Sequence, residues 1–514
     1  MRILGRKHSS HVHQKEMLRP VRRSYSANSM LKSSSPLPLA PISGWWFALC
    51  TAVLAQEHRL EPLAAAAHAG VAAHEEALFD LADRIWRFAE TSLTESRSSA
   101  AVAEFLEQRG FRVERGVGGV PTAFVARFGE GSPVVGMLCE FDALPGISNV
   151  NEPRLAPLQK GGAGHGCGHN LFAAGSAGAA LACKTVMEQH GLPGTLVLFG
   201  CPAEETVIGK VYMAKAGVFD GVDVCLDWHP GDVTGADYER TRALNNFTVR
   251  FSGRTAHGAG DPWNGRSALD AVELMNHAVN MLREHVEPST RIHYVIADGG
   301  GAPNVVPATA AVWYYVRDLE REGVEATYAR VLNCAKGAAI ATDTSYDVEL
   351  TTGVHSYLLN RTLTELLDAH LRAAGAPQWS EGEQAFARKL QSATGKPELG
   401  LHVGVRELPA EPVPAQGGST DAAEVSRITP TGKLRVACAP IDTPWHAWPV
   451  VACAGTSIGH KCVGTAARAL GGALVELLRS EELVAKARAE FAAQTAGKPY
   501  RSPIPQDQEL PLRR

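Results

Sequence analysis

Apolar positions first recur at helical spacing in the stretch 61–88, where Leu78, Leu81, Ile85 and Phe88 fall on one face. A second helix is predicted over 97–109, ended by Gly110. Short strands follow at 112–114, 123–128 and 134–139. The last is almost continuously apolar, as a strand buried on both faces must be. The alanine-rich stretch 171–189 predicts a helix with Asn170 as its N-cap and Gly191 at its end. Two further apolar runs, 195–199 and 222–226, read as buried strands.

From about residue 241 the pattern changes. An alternating strand at 243–252 leads to a helix at 267–285 and to strands at 291–297 and 311–317. A helix at 320–341 and a strand at 346–352 complete a β-α-β-β-α-β order. That order predicts a small open-faced sandwich inserted into a larger α/β domain. A helix at 362–374 resumes the larger domain, the polar, Pro-rich stretch 378–416 reads as loops, and a last helix spans 459–478. The implied organisation is a leader at 1–56, catalytic segments at 57–240 and 356–490, the insertion at 241–355 and a tail at 491–514.

Composition narrows the function classes. With 50 Lys and Arg against 54 Asp and Glu, the net charge of −4 implies neither a nucleic acid nor an acidic membrane surface as partner. The cysteines are scattered, without zinc-ribbon or disulfide-framework spacing. Residues 1–43 are basic and serine-rich, and the apolar run 44–55 is too short to span a bilayer. It reads as a signal-peptide core with cleavage before Gln56, and Met30 offers a more conventional start. Periplasmic or secreted location is therefore the expectation. An uncleaved extension on a cytoplasmic protein, or a transit peptide, is the alternative.

Candidate chemistry gathers at strand ends. Cys167 and His169 lie two apart in the glycine-rich run 161–175, a spacing that can turn both side chains to one side. Glu140 and Asp142 follow one apolar strand, the adjacent Glu204 and Glu205 another, and His229 a third. The carboxyl ends of strands are where an open α/β sheet carries its chemistry. Thiolate, imidazole and carboxylate together suit zinc, manganese or a similar ion. Of the adjacent glutamates, one is expected to bind metal and the other to remain free as a base. His446 and His460 compete for the last ligand place. His257 and Asn304 sit in polar loops of the insertion. The chain shows no Gly-x-Ser-x-Gly elbow, so a serine nucleophile is not indicated.

In combination, Glu140 to Pro145, Gly164 to Asn170, Pro202 to Glu205, His229, His257 and Pro444 to His446 resemble the dinuclear metallo-aminoacylase and carboxypeptidase family. The closest look is to its amidohydrolase branch, over about 78–478. The resemblance implies a zinc-aminopeptidase-like catalytic domain with an inserted ferredoxin-like α+β lid and dimerisation domain. It implies two divalent ions, Mn2+ or Zn2+, held by Cys167, His169, Glu205, His229 and His446. Glu204 would be the general base and Asp142 would support the site. His257 and Asn304 would reach the active site of a second subunit, in a homodimer or with a related subunit. Glu140 stands where other branches have a histidine ligand, and its coordination is left unassigned. The implied reaction is hydrolysis of the amide of a small N-acyl amino acid, aminobenzoyl-glutamate or similar. A β-alanyl-type dipeptidase is the alternative. A binding protein that has lost catalysis is a third reading, against which the spare carboxylate of Glu204 speaks.

Overall fold

A computed structural model of the chain describes residues 62–512. The expected leader, 1–56, lies outside them. Eleven strands form among the described residues: β1 (Arg112–Arg115), β2 (Phe124–Glu130), β3 (Val134–Glu140), β4 (Gly194–Cys201), β5 (Val224–Gly231), β6 (Gly235–Ala236), β7 (Ala243–Ser252), β8 (Arg291–Asp298), β9 (Thr309–Asp318), β10 (Ser345–Val354) and β11 (Thr431–Ala437).

Seven of them build one sheet in the order β1-β2-β4-β3-β5-β11-β6. Its centre is parallel: β3 pairs with β4 and β5, and β11 with β5. The carboxyl ends of these four strands therefore share one edge, and they deliver Glu140, the Pro202–Glu205 turn, His229 and the segment leading to His446. The central strands are nearly continuously buried, which explains their unbroken apolar runs. The helices His169–His190 and Ser457–Arg479 pack closely on each other in the core that this sheet shares.

The remaining strands form an antiparallel sheet, β10-β7-β9-β8, which carries the helices Ala268–Leu282 and Arg321–Thr342 and has its own core. The expected β-α-β-β-α-β order is observed.

Several local expectations are corrected. Asn170 does not cap the long helix: Gly168, at φ 79°, stands at the N-cap, and the buried Asn170 amide donates to Ala82 O and Ala454 O, both at 3.3 Å. Only glycine takes that left-handed backbone without strain. The stretch read as loops contains the helix Glu381–Ala393, opened by a reciprocal capping box between Ser380 and Glu383. The helical pattern of 61–88 is broken by a tight 3-10 turn, Val71–His74. Strand β11 and the helix Glu481–Thr495 have no counterpart in the sequence reading. No described helix is long and apolar enough to cross a membrane.

The contact between the His169–His190 helix and β5 depends on one missing methyl. A Cβ on Gly175 would lie 2.4 Å from Trp228 Cζ2. Trp228 is fully buried, and its indole N–H donates to Ser176 Oγ at 3.1 Å, so the ring has little freedom to move. Helix propensity alone would make Gly175→Ala stabilising by about 1 kcal/mol. Overpacking is expected to win, with a net loss of about 1–3 kcal/mol in urea unfolding. A stabilised variant would contradict this packing.

Candidate active site

The edge of the parallel sheet brings together the residues that the sequence scatters. Cys167 Sγ lies 3.4 Å from His229 Nε2. The other nitrogen of His229, Nδ1, is 2.6 Å from Pro230 O. A carbonyl can only accept, so Nδ1 carries the proton and the Nε2 lone pair faces the thiol. His169 Nδ1 lies 3.0 Å from Asp142 Oδ1, and His169 Nε2 is turned into the site. Asp142 also accepts from Glu205 N at 2.9 Å and Ser92 Oγ at 3.1 Å, tying the imidazole to the Glu204–Glu205 turn. His446 Nε2 is 3.4 Å from Glu205 Oε2.

These side chains form overlapping clusters with the spacing of metal ligands. One ligand atom each from Cys167, His169 and His229 lies within 4.8 Å of the others, and so does one each from Cys167, Glu205 and His446. Cys167 belongs to both, so one thiolate can serve two ions. His169 Nε2 and Glu205 Oε1 are buried and have no hydrogen-bond partner. Unpaired buried polar atoms are rare and costly, and the donor set of sulfur, imidazole and carboxylate fits a transition-metal ion. The residues present therefore fit a divalent metal.

The electrostatics agree. Burial opposes a charge on His169, but Cys167 and Asp142 outweigh it and hold the imidazole well above its ordinary range. Burial, then the Glu140 charge, push the Glu204 carboxyl well above the usual carboxylate range. The pocket selects positive charge.

The turn that presents Glu204 is strained. Ala203 and Val207 have φ of 58° and 51°, uncommon for residues with side chains. Glu95, fully buried, holds it: its Oε1 accepts from Ala203 N and Leu93 N, both at 2.9 Å, and its Oε2 from Thr122 Oγ1 at 3.1 Å. Burial and the charge of Asp142 raise its carboxyl to about 8. Glu95 escapes sequence reading because a lone glutamate ahead of a helix looks like an ordinary first-turn acid. Lys210 and Asp421 were also missed as site residues. Lys210 follows the Glu204 turn and is fully buried. Asp421 ends the Gly-Ser-Thr-Asp run.

His460 drops out of the competition for the last ligand place. Its Nε2 is 2.9 Å from Asp83 Oδ1, and its ring stacks on Phe79 at 4.6 Å. His257 and Asn304 are exposed on adjoining loops of the four-stranded sheet, where His257 bridges Val305 and Gly258 N donates to Asn304 O at 2.8 Å. Neither belongs to the clusters around Cys167. His257 Nδ1 accepts from Gly260 N at 2.9 Å, which leaves the opposite nitrogen free to donate.

A parallel sheet with thiolate, imidazole and carboxylate at its carboxyl edge, interrupted by a second open-faced sheet, defines a metallohydrolase with an inserted domain. Residues 240–342 match the peptidase dimerisation domain of the M20 peptidases. The chain is 38% identical over 455 residues to one of the two subunits of p-aminobenzoyl-glutamate hydrolase from Escherichia coli K12, covering 83% of this chain and 94% of that relative. It is 31% identical over 303 residues to Xaa-Arg dipeptidase of Mus musculus, covering 56% of this chain and 66% of that one. Two solved structures share the fold. One is an aminobenzoyl-glutamate utilization protein from Klebsiella pneumoniae, with a TM-score of 0.53, 18% identity and 78% and 96% coverage of the two chains. The other is a dinuclear metal-binding peptidase of the M20 family from Bacillus subtilis, with a TM-score of 0.52, 17% identity and 79% and 99% coverage. The chain belongs to the M20 peptidase family and is a metal-dependent amidohydrolase.

Because Asp142 fixes the His169 tautomer, Asp142→Asn is expected to weaken divalent-metal binding about 10–100-fold. Titration calorimetry with Mn2+ or Zn2+ measures this. Unchanged affinity would mean that His169 is held by something else.

Proposed function

We propose that this chain hydrolyses the amide bond of a small N-acyl amino acid, with aminobenzoyl-glutamate as the leading substrate. The observation that carries the reading is Glu204. It is a 9% exposed carboxylate outside both Cys167 clusters, placed beside them by a strained turn. A protein that only bound metal would have no use for it.

Two divalent ions, manganese or zinc, would be held by Cys167, His169, Glu205, His229 and His446; when bound, they polarise a carbonyl and acidify water. Asp142 and the Pro230 carbonyl keep the two strand-edge imidazoles in the tautomers that binding requires. Glu204 takes the proton of the attacking water and returns it to the leaving nitrogen, a task that suits a carboxyl raised by burial. Its strained turn keeps it from joining either Cys167 cluster, so it stays available as acid and base. The dimerisation-domain match at 240–342 supports a dimer joined through the insertion. In that dimer, His257 of the partner subunit donates a hydrogen bond to the substrate carbonyl, and Asn304 of the partner subunit binds substrate. The Escherichia coli relative bears the name of a hydrolase with two kinds of chain, which leaves room for a related partner. Export through the leader is retained as part of this proposal.

The identity to a dipeptidase supports a second substrate class, dipeptides, on the same machinery. A mass-spectrometric screen of N-acyl glutamates and dipeptides against metal-loaded protein separates the two. Aminobenzoyl-glutamate should give the higher kcat/KM, and a preference for dipeptides would reassign the substrate.

Glu204→Gln keeps shape and loses the base. It should retain its metal and lose about 10²–10⁴-fold in kcat. Wild-type kcat at full metal occupancy would remove Glu204 from the mechanism. For the insertion, His257→Ala should lower turnover at normal metal content. Mixing His257→Ala with Glu204→Gln subunits should restore activity, because one site of the mixed dimer then has both wild-type groups. Verified mixed dimers without recovery would show that the site is not shared.

A further inference from the structure

Glu140 is not one of the five ligands proposed above, and the mechanism gives it no task. It is the last residue of β3, its backbone set by pairing with Cys201 of β4, and it is 2% exposed. One of its oxygens is taken: Oε1 is ion-paired with Lys210 Nζ at 2.8 Å. The other, Oε2, is buried without a hydrogen-bond partner. It lies 3.3 Å from His169 Nε2, which is also unpartnered. The nitrogen and oxygen are close enough to hydrogen-bond, but their angles are wrong for it, so neither satisfies the other. With the His169 Nδ1 proton directed at Asp142, Nε2 presents a lone pair beside a carboxylate oxygen. Two such acceptors side by side in a buried pocket are costly unless a cation lies against both. Glu140, His169 and Glu204 form a cluster with ligand spacing in their own right.

Lys210 decides which way Glu140 faces. Its ammonium is fully buried, and its only charge partners among the described residues are Glu140 and Asp421, the latter at 2.5 Å from Oδ1. Asp421 Oδ2 also accepts from Lys210 N at 2.8 Å, so backbone and side chain of the lysine are fixed from one carboxylate. The lysine in turn fixes Oε1 and leaves Oε2 no direction but the His169 side of the site.

We propose that Glu140 is an additional anionic ligand to the ion held by His169, and that Lys210, anchored by Asp421, is the positioning residue that aims it. This rests on the two-ion reading above. In this arrangement the ion on the His169 side is bound more tightly than Cys167, His169 and His229 alone would allow.

The test is titration calorimetry with Mn2+ and Zn2+, together with metal analysis after dialysis, on the full chain. The wild type should bind two ions. Failure to do so would sink the two-ion reading and this proposal with it. Given two ions, Glu140→Gln keeps the shape and should weaken one site by about tenfold or more while sparing the other. Both sites at wild-type affinity would overturn the ligand role and leave the two-ion reading intact. Lys210→Met discriminates by sign. Removing a nearby positive charge should tighten cation binding if the lysine acts only through space. If it aims Glu140, binding at the same site weakens, and the double variant with Glu140→Gln is no weaker than Glu140→Gln alone. Tighter, unchanged or additive behaviour would overturn the positioning role. Should Lys210→Met fail to fold, Lys210→Met with Asp421→Asn removes the buried pair together and carries the same expectation.

Discussion

The structure depends on keeping a group of carboxylates out of water at one edge of a parallel sheet. Glu140, Asp142, Glu204 and Asp421 are each no more than 9% exposed, and they crowd around His169 and Lys210. Like charges at this spacing in a low-dielectric interior repel strongly, and each ion pays to leave water. The arrangement is tolerable only where positive charge is supplied. Lys210 supplies part of it permanently. The ligand clusters around Cys167 show where the rest enters, and the unpartnered atoms point to the same place.

The scaffold exists to hold that edge still. Strands β3, β4, β5 and β11 run parallel beneath it, so four chain segments reach the site from one rigid platform. The long helix from His169 is pinned by Trp228 in the Gly175 notch, which fixes the first imidazole against the second. Glu95 holds the left-handed turn that separates the roles of Glu204 and Glu205. The inserted sheet has its own core and leaves His257 and Asn304 exposed.

Much of this was legible in the chain. Continuous apolar runs gave the buried strands, and the side chains just past them were the site. Alternation gave the inserted sheet in the right order. The parts that escaped did so for physical reasons. Strand β11, with Lys433 and Arg435 in its sequence, does not look like a buried strand; Lys433 Nζ and Arg435 Nε are neutralised by Asp237 at 3.1 and 2.9 Å. The 381–393 helix sits between prolines and polar residues, and only its capping box announces it. Glu95, Lys210 and Asp421 act through partners distant in sequence, and no local pattern distinguishes a buried carboxylate or lysine from a solvated one. His460 and His446 could be separated only by seeing which one reached Glu205.

The central claim is that divalent ions sit where the buried carboxylates, thiol and imidazoles converge. Anomalous diffraction from crystals of manganese- or zinc-loaded protein, recorded on both sides of the metal edge, tests it most directly. Two peaks sharing Cys167 are expected, one beside His169 and His229 and the other beside Glu205 and His446. The absence of any anomalous peak within bonding distance of Cys167 and His169 in fully loaded crystals would contradict the account.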